Sequence, residues 1–228
     1  MLYPMLANEI ETVRTTLPAS VLEWLRYHGT PSMVAGGILQ QILHPRPGLE
    51  SVAERDIDIF MIGAISPRER MSNRSIATGV FGVPCSYESN RADTFTISSR
   101  VKIQFIYSQD WNNKDDVLGS FDFSVVRAGF WWEPSTLEFT GFQDHNFTLD
   151  NQAGRLRYDP RSGSHFNPLG SLRRMIKYVG RGFSPDDECL ARIIAESVAY
   201  ARPAQSVDQV EALKRSLENA LTTTTGRS

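Results

Sequence analysis

Two aspartates separated by a single residue, Asp56 and Asp58, are the sharpest candidates for chemistry in the sequence. They open an apolar run that extends to Ile62 and has the composition of a β-strand. Because side chains alternate along a strand, both carboxylates would lie on one face and the isoleucine between them on the other. Adjacent carboxylates repel each other, and Mg²⁺ ions relieve this repulsion in phosphoryl- and nucleotidyl-transfer sites. The alternative is an exposed pair at the entrance of a strand, which the spacing alone leaves open.

A glycine pair, Gly36-Gly37, precedes these aspartates in the chain. It follows a short apolar run over 33–35 and opens a helical pattern over 38–43. Glycines in such a turn let backbone N–H groups approach a phosphate closely, and the N-terminus of the helix favours the anion. A tight strand-to-helix turn without a ligand is the alternative. The order of strand, glycine pair, helix and Asp-x-Asp strand favours phosphate binding.

Asp122 is an isolated carboxylate in the apolar stretch 120–126, and we predict a strand over 121–131. A charged group in apolar surroundings is costly unless it has a partner. A metal ion held jointly with Asp56 and Asp58 would be one such partner. Hydrogen bonds to the backbone at the start of a strand would be another, and the sequence leaves both open.

Four cations form a stripe along a predicted C-terminal helix: Arg173, Arg174, Lys177 and Arg181. Like charges at helical spacing repel each other. The stripe therefore indicates a nearby anion, such as a triphosphate or a nucleic-acid backbone. The alternative is a solvated face that nearby acidic residues neutralise.

The composition is that of an ordinary globular protein. The chain has 228 residues, of which 41% are hydrophobic and 22% charged, and this excludes a mostly disordered or fibrous protein. Its net charge of −2 means that any anion-binding site must be local. No apolar run is long enough to span a membrane, and no secretory signal is visible. The two cysteines lack metal-ligand spacing. We therefore expect a cytoplasmic protein without membrane contact.

The elements that must position these residues divide the chain into two parts. We predict an α/β domain over 1–160 and a small helical region over 161–228 that packs on it. The predicted strands cover 56–62, 94–98, 101–107 and 121–131. The predicted helices begin near 38, after Ser66, near 169 and after 184, and a last one covers 206–221.

The order of these features resembles the polymerase β-type nucleotidyltransferase superfamily. Gly36-Gly37, then Asp56 and Asp58 on a strand, then Asp122 on a later strand, is nearest the branch of poly(A) polymerases and tRNA-end-adding enzymes. The runs 102–106, 117–123 and 172–183 are similar to nucleotidyltransferase-like proteins encoded by large DNA viruses and bacteriophages. The resemblance covers about residues 33–183.

The resemblance implies an α+β fold, with a mixed sheet backed by helices, and a Mg²⁺-dependent reaction. An enzyme of this kind moves a nucleoside monophosphate from a nucleoside triphosphate to a hydroxyl and releases pyrophosphate. By resemblance, Asp56 and Asp58 would bind two Mg²⁺ ions, and Asp122 would complete the metal site and help to deprotonate the hydroxyl. Gly36 and Gly37 would hold the triphosphate, and the basic stripe would add phosphate contacts. The acceptor, which could be nucleic acid, protein or small molecule, and the oligomeric state stay open.

A second hypothesis is a catalytically idle protein with this fold and a structural or interaction role, for example in a virus particle, because folds often outlast their activities. Geometry distinguishes the two hypotheses. Three carboxylates converging in an open cleft, bordered by the basic stripe, would favour the enzyme. A cleft filled by the chain's own side chains would favour the structural protein.

Overall fold

A computed structural model describes residues 1–28, 30–46, 56–99, 101–108, 111–159 and 168–201. Within these ranges the chain forms a mixed sheet in the spatial order β1-β8-β7-β2-β3-β6-β5-β4. The strands are β1 (Leu2–Pro4), β2 (Ser32–Ala35), β3 (Ile57–Met61), β4 (Cys85–Glu88), β5 (Ala92–Thr96), β6 (Lys102–Tyr107), β7 (Ala128–Glu133) and β8 (Glu138–Asp144). Strands β3 and β6 are parallel, and the other neighbouring pairs in this sheet are antiparallel.

Some helices connect the strands of the sheet, and others come after its last strand in the chain. They are α1 (Ala7–Thr16), α2 (Ala19–Tyr27), α3 (Gly37–Leu43), α4 (Pro67–Phe81), α5 (Lys114–Gly119), α6 (Phe147–Ala153), α7 (Pro168–Val179) and α8 (Asp187–Ala201). Two short strands, β9 (Arg155–Leu156) and β10 (Ser184–Pro185), pair with each other in parallel. The predicted α+β class, with a mixed sheet, backing helices and C-terminal helices, is confirmed. None of the described helices is long and apolar enough to cross a membrane.

Helix α4 shows how local sequence sets an element boundary. The hydroxyl of Ser66 accepts a hydrogen bond from the backbone N–H of Glu69, and the Glu69 carboxylate accepts one from the N–H of Ser66. Pro67 occupies the first helical position, where a missing N–H costs nothing. The helix ends before Gly82, whose left-handed conformation suits glycine. The helix therefore starts where the sequence predicts it.

The main core lies between one face of the sheet and helices α1 to α4. Ile57, Ile59 and Met61 of β3 point into this core, where Trp24 and Phe105 are also fully buried. The alternation of β3 thus sends its aliphatic side chains to this face. Asp58 and Phe60 lie on the opposite face.

A smaller core covers that opposite face near the centre of the sheet. Phe60 packs there with Trp131 and with Val117 and Leu118 of α5. Ile106 of β6 packs against this core as well. The face that carries Asp58 is therefore partly covered by this core.

The C-terminal helices share a third core with a segment that precedes β7. Phe123 and Val126 from that segment pack with Leu172, Met175 and Tyr178 of α7. This shared core joins α7 to the segment that precedes β7. The predicted boundary at 160 and the predicted helix over 206–221 lie outside the described residues.

The predicted continuous strand over 121–131 is wrong in its first half. Residues 124–126 form a single 3₁₀ turn, and the strand β7 begins only at Ala128. The reason is the fully buried guanidinium of Arg127, which donates two hydrogen bonds to the carbonyl of Phe121 and pairs with Asp159. Folding the backbone around this cation prevents an extended conformation.

Candidate functional site

The aspartate pair lies at the start of β3, in the middle of the sheet. Asp56 directly precedes the strand and is exposed, and Asp58 is partly buried within it. The pKa of Asp58 is raised from 3.8 to about 6, first by burial and then by the charge of Asp56, while Lys177 opposes the shift. The two carboxylates therefore repel each other across one face of the strand, as the Asp-x-Asp spacing requires.

The glycine turn lies at the same edge of the sheet. Strands β2 and β3 are antiparallel, with Ser32 opposite Met61 and Val34 opposite Ile59. The chain therefore leaves β2 where β3 begins. Gly36 caps α3 with φ +87° and ψ −144°, a conformation that side-chain-bearing residues rarely adopt. This turn places the start of α3 beside the aspartate pair.

The two glycines differ in their surroundings. A Cβ atom built on Gly37 meets nothing within 4 Å among the described residues, so this backbone is open to approach. A Cβ atom on Gly36 would lie 3.5 Å from the ring of Phe121. That ring also packs edge-on against Phe60, with 5.4 Å between the ring centroids. Phe121 therefore forms a wall of the site, and no periodicity in the sequence marks it.

Asp122 has protein partners of its own. Its buried carboxylate accepts hydrogen bonds from the Ser171 hydroxyl and from Arg174, whose Nε and Nη2 lie 2.8 and 2.7 Å from Oδ2. The partner that the apolar surroundings of Asp122 demand is thus on α7. Across the described ranges, no three His, Cys, Asp or Glu side chains are grouped to hold a metal ion.

The four cations of the stripe have different environments. Lys177 lies close enough to Asp58 to lower the pKa of that carboxyl. Arg174 binds Asp122, and the guanidinium of Arg181 lies 5.8 Å from the ring centroid of Tyr178. Arg173 is exposed. Helix α7 therefore carries one cation towards the aspartate pair and uses another to hold Asp122.

Tyr178 is a buried residue between these groups that the sequence interpretation missed. Burial raises its pKa to about 12, and the charges of Asp122 and Asp58 both contribute. Its ring packs edge-on against Phe123, with 5.6 Å between the centroids. The sequence contains a signal for it, because Tyr178 continues the helical spacing of Met175 and Leu172. Tyr178 connects the charges of the site to the C-terminal core.

The ligand set suits a divalent cation. Asp56 and Asp58 supply two carboxylates on one strand face, and the repulsion between them is the kind that a cation relieves. The open backbone at Gly37 and the nearby cation Lys177 are groups that a phosphate would contact. Together these groups could hold a metal-bound polyphosphate at the edge of the sheet.

Comparisons with known proteins identify the fold. No protein-family model matches the sequence, and no curated protein matches it. Solved structures do match. The Thermotoga maritima CCA-adding enzyme complexed with tRNA has a TM-score of 0.59 at 15% identity, over 90% of this chain and 48% of the enzyme. A CCA-adding enzyme in complex with CTP has a TM-score of 0.62 at 14% identity, over 97% of this chain and 50% of the enzyme. A CCA-adding enzyme in complex with ATP has a TM-score of 0.56 at 14% identity, over 86% of this chain and 47% of the enzyme.

At these identities the likeness shows the fold alone. The chain has the nucleotidyltransferase-like fold of the CCA-adding enzymes and spans about half of their length. The predicted nucleotidyltransferase-like fold is thus confirmed.

Proposed function

We propose that the protein is a Mg²⁺-dependent nucleotidyltransferase that moves a nucleoside monophosphate from a nucleoside triphosphate to a hydroxyl. The observation that carries this proposal is the common location of the Gly36-Gly37 turn and the Asp56/Asp58 pair at one edge of paired central strands. Lys177 reaches the same place from α7. Anion-binding backbone and metal-binding carboxylates are the parts that this reaction needs.

The residues have distinct roles in this proposal. Asp56 and Asp58 hold Mg²⁺, which supplies charge neutralisation on the triphosphate when it is bound. The backbone N–H of Gly37 contacts the phosphates, as does the ammonium of Lys177. The N–H of Gly36 donates to the carbonyl of Ala128, so Gly36 shapes the turn rather than binding the anion. Because the protein mainly positions groups in this reaction, orientation is its principal contribution.

The remaining residues of the stripe act around that centre. Arg173 and Arg181 are additional phosphate contacts. Asp122 was predicted as a third metal ligand and as a base, and its hydrogen bonds to Ser171 and Arg174 favour a different role. We propose that Asp122 orients α7 by holding Arg174, and that it acts on the reaction through the position of Lys177.

The solved structures of similar fold support a nucleoside triphosphate as the substrate, since two of them are complexes with CTP and with ATP. A further structure contains tRNA. A tRNA end is therefore the first acceptor to test. The closeness to viral and phage proteins rests on three sequence runs and stays a prediction.

The second candidate function is a structural or interaction protein with an idle site. The ring of Phe121 favours it, because it lies against the glycine turn that would hold the phosphates. The shortage of carboxylates beside Asp56 and Asp58, among the residues described, points the same way. Under this hypothesis the fold would serve as a scaffold, in a virus particle or elsewhere.

The experiment is a transfer assay with each of the four α-labelled nucleoside triphosphates, in Mg²⁺ or Mn²⁺. Acceptors are tRNA without its 3′ end, a short RNA and buffer alone. Wild-type protein should form labelled product, and Asp58→Asn should not, whereas Glu138→Gln at an exposed position of β8 should match wild type. A thermal melt with nucleotide and Mg²⁺ reports binding without an acceptor. If the wild type forms no labelled product and gains no thermal stability from nucleotide and Mg²⁺, the idle scaffold is favoured.

A further inference from the structure

Helix α8 has two apolar faces. Cys189 and Ile193 lie on the first face and are buried in the core that α8 shares with α7. Leu190, Ile194 and Val198 recur at every fourth residue on the second face, and they are 40%, 46% and 47% exposed in the described structure. We call these three residues the α8 stripe. A helix that packs on one core needs only one apolar face, so the α8 stripe indicates a second packing partner.

The residues beside the α8 stripe extend this apolar surface along the helix. Ala191, Ala195 and Ala199 directly follow the three stripe residues in the chain and are also exposed. Rows of small and large apolar side chains form the grooves and ridges on which a second helix packs. Among the charged residues of α8, Arg192 and Glu196 pair with each other one turn apart. The surface therefore fits the apolar face of another helix.

The segment that follows α8 in the chain has a matching pattern. The sequence predicts a helix over 206–221, which lies outside the described residues. Val210, Leu213, Leu217 and Leu221 would share one face of such a helix. The segment also has about the same length as α8, which spans 15 residues. A helix of this length would cover the α8 stripe from end to end.

The connection between the two segments favours an antiparallel pair. Helix α8 ends at Ala201, and Pro203 opposes its continuation because a proline lacks the backbone N–H and its ring clashes with the preceding turn. Residues 202–205 separate α8 from the predicted helix. A connection of about 2–8 residues is typical between helices that are neighbours in a bundle. The second helix would therefore return along the first.

The apolar residues of the two segments match when they are counted outward from this connection. The resulting pairs are Val198 with Val210, Ile194 with Leu213, and Leu190 with Leu217. We propose that residues 206–221 form a helix that packs antiparallel on the α8 stripe of the same chain. This helix extends the C-terminal core and supports α7 through α8. The inference holds whether or not the protein transfers nucleotides.

Hydrogen exchange of the full chain, read by mass spectrometry, tests the proposal. Amides over 210–217 should exchange at least about tenfold more slowly than those of an unstructured peptide with the same sequence. Because an isolated helix of this length is marginal in water, such protection reports packing. Leu213→Glu should abolish the protection, since it places a charge in the interface although glutamate favours helices. Arg215→Glu places the same side chain on the opposite face of the predicted helix and should preserve the protection.

The reciprocal variant changes the α8 stripe. Ile194→Glu should remove the protection over 210–217 and leave that of β3 unchanged, which shows that the rest of the protein remains folded. Ile76→Glu, at an isoleucine of α4 that is also exposed, is the matched control and should preserve the protection.

Three results of the exchange experiment would overturn the proposal. The first is a wild type without protection over 210–217, and the second is an equal effect of Leu213→Glu and Arg215→Glu. The third is protection that Ile194→Glu leaves unchanged, because the segment would then pack elsewhere. Light scattering tests a second copy of the chain as the occupant. A wild-type dimer that Ile194→Glu dissociates and Ile76→Glu does not would overturn the proposal in favour of that copy.

Discussion

Arg174 binds the carboxylate of Asp122 with two nitrogens, at 2.8 and 2.7 Å from the same oxygen. The aspartate is buried and the arginine is half-exposed, so the bond joins the surface of α7 to the segment that precedes β7. Ser171, one turn earlier on α7, donates to the same oxygen. This contact fixes the position of α7, and with it Lys177, relative to the sheet.

The first prediction concerns this contact. Among the residues that the structure describes, Arg174→Ala leaves the buried Asp122 carboxylate with the serine hydroxyl as its side-chain partner. We expect this variant to lower the free energy of unfolding by about 2–3 kcal/mol. Arg173→Ala, at the exposed neighbouring position, should change it by less than about 0.5 kcal/mol. Denaturant unfolding measures both. Equal effects for the two variants would show that the bond does not stabilise the protein.

Several features of the site could be predicted because they depend on local sequence. The alternation of β3 follows from its own residues, and it places Asp58 opposite the buried isoleucines. The boundary of α4 follows from Ser66 and Glu69, which are three residues apart. The glycine turn follows from Gly36, since its backbone conformation is available mainly to glycine.

Other features depend on residues that are distant in the chain. Gln104 neighbours Asp58 only because β3 and β6 pair in one particular register. Gly141 of β8 lies so close to β7 that a Cβ there would be 2.5 Å from the carbonyl oxygen of Gly129. The partner of Asp122 comes from α7, far along the chain. Sequence periodicity contains no information about such pairings, so these features required the fold.

The second prediction uses the contrast between the two glycines. Gly37→Ala introduces a methyl group into open space at the first helical position, so the free energy of unfolding should stay the same or rise by up to about 1 kcal/mol. The same methyl group would hinder close approach of a phosphate, and affinity for nucleoside triphosphate should fall. Gly36→Ala should instead destabilise the fold by about 1–3 kcal/mol, because its positive φ is strained for alanine. Thermal melts with and without nucleotide separate the two effects.

The third prediction concerns Lys177. Lys177→Gln removes a positive charge beside Asp58, so the pKa of Asp58 should rise further above its present value of about 6. Affinity for nucleoside triphosphate with Mg²⁺ should fall by about tenfold, which is the loss of one charge-assisted contact. Arg68→Gln, at an exposed position in the first turn of α4 on the other side of the sheet, is the matched control. Nucleotide titration at two ionic strengths measures the affinity of both variants. A loss of equal size in Lys177→Gln and Arg68→Gln would contradict a local role for Lys177.

The fourth prediction concerns the pH dependence of stability through Asp58. Its pKa is raised from 3.8 to about 6 in the folded protein, so folding favours the protonated carboxyl. The wild type therefore has the full contribution of this group below pH 4 and loses it as the pH rises through 6. Asp58→Asn removes the charge, so the variant should equal the wild type near pH 4 and exceed it by about 2–3 kcal/mol above pH 7.

The same substitution separates metal binding from folding. In the wild type, Mg²⁺ with nucleotide favours the charged form of Asp58, so adding them should recover stability above pH 6 and little at pH 4. Asp58→Asn should gain nothing from the metal at either pH. Urea unfolding at pH 4, 6 and 8, with and without Mg²⁺ and a non-hydrolysable nucleotide, measures all six conditions for each protein. An Asp58→Asn variant whose stability follows that of the wild type across this pH range would contradict the prediction. Burial and the charge of Asp56 would then not make the ionised Asp58 carboxylate unfavourable for folding.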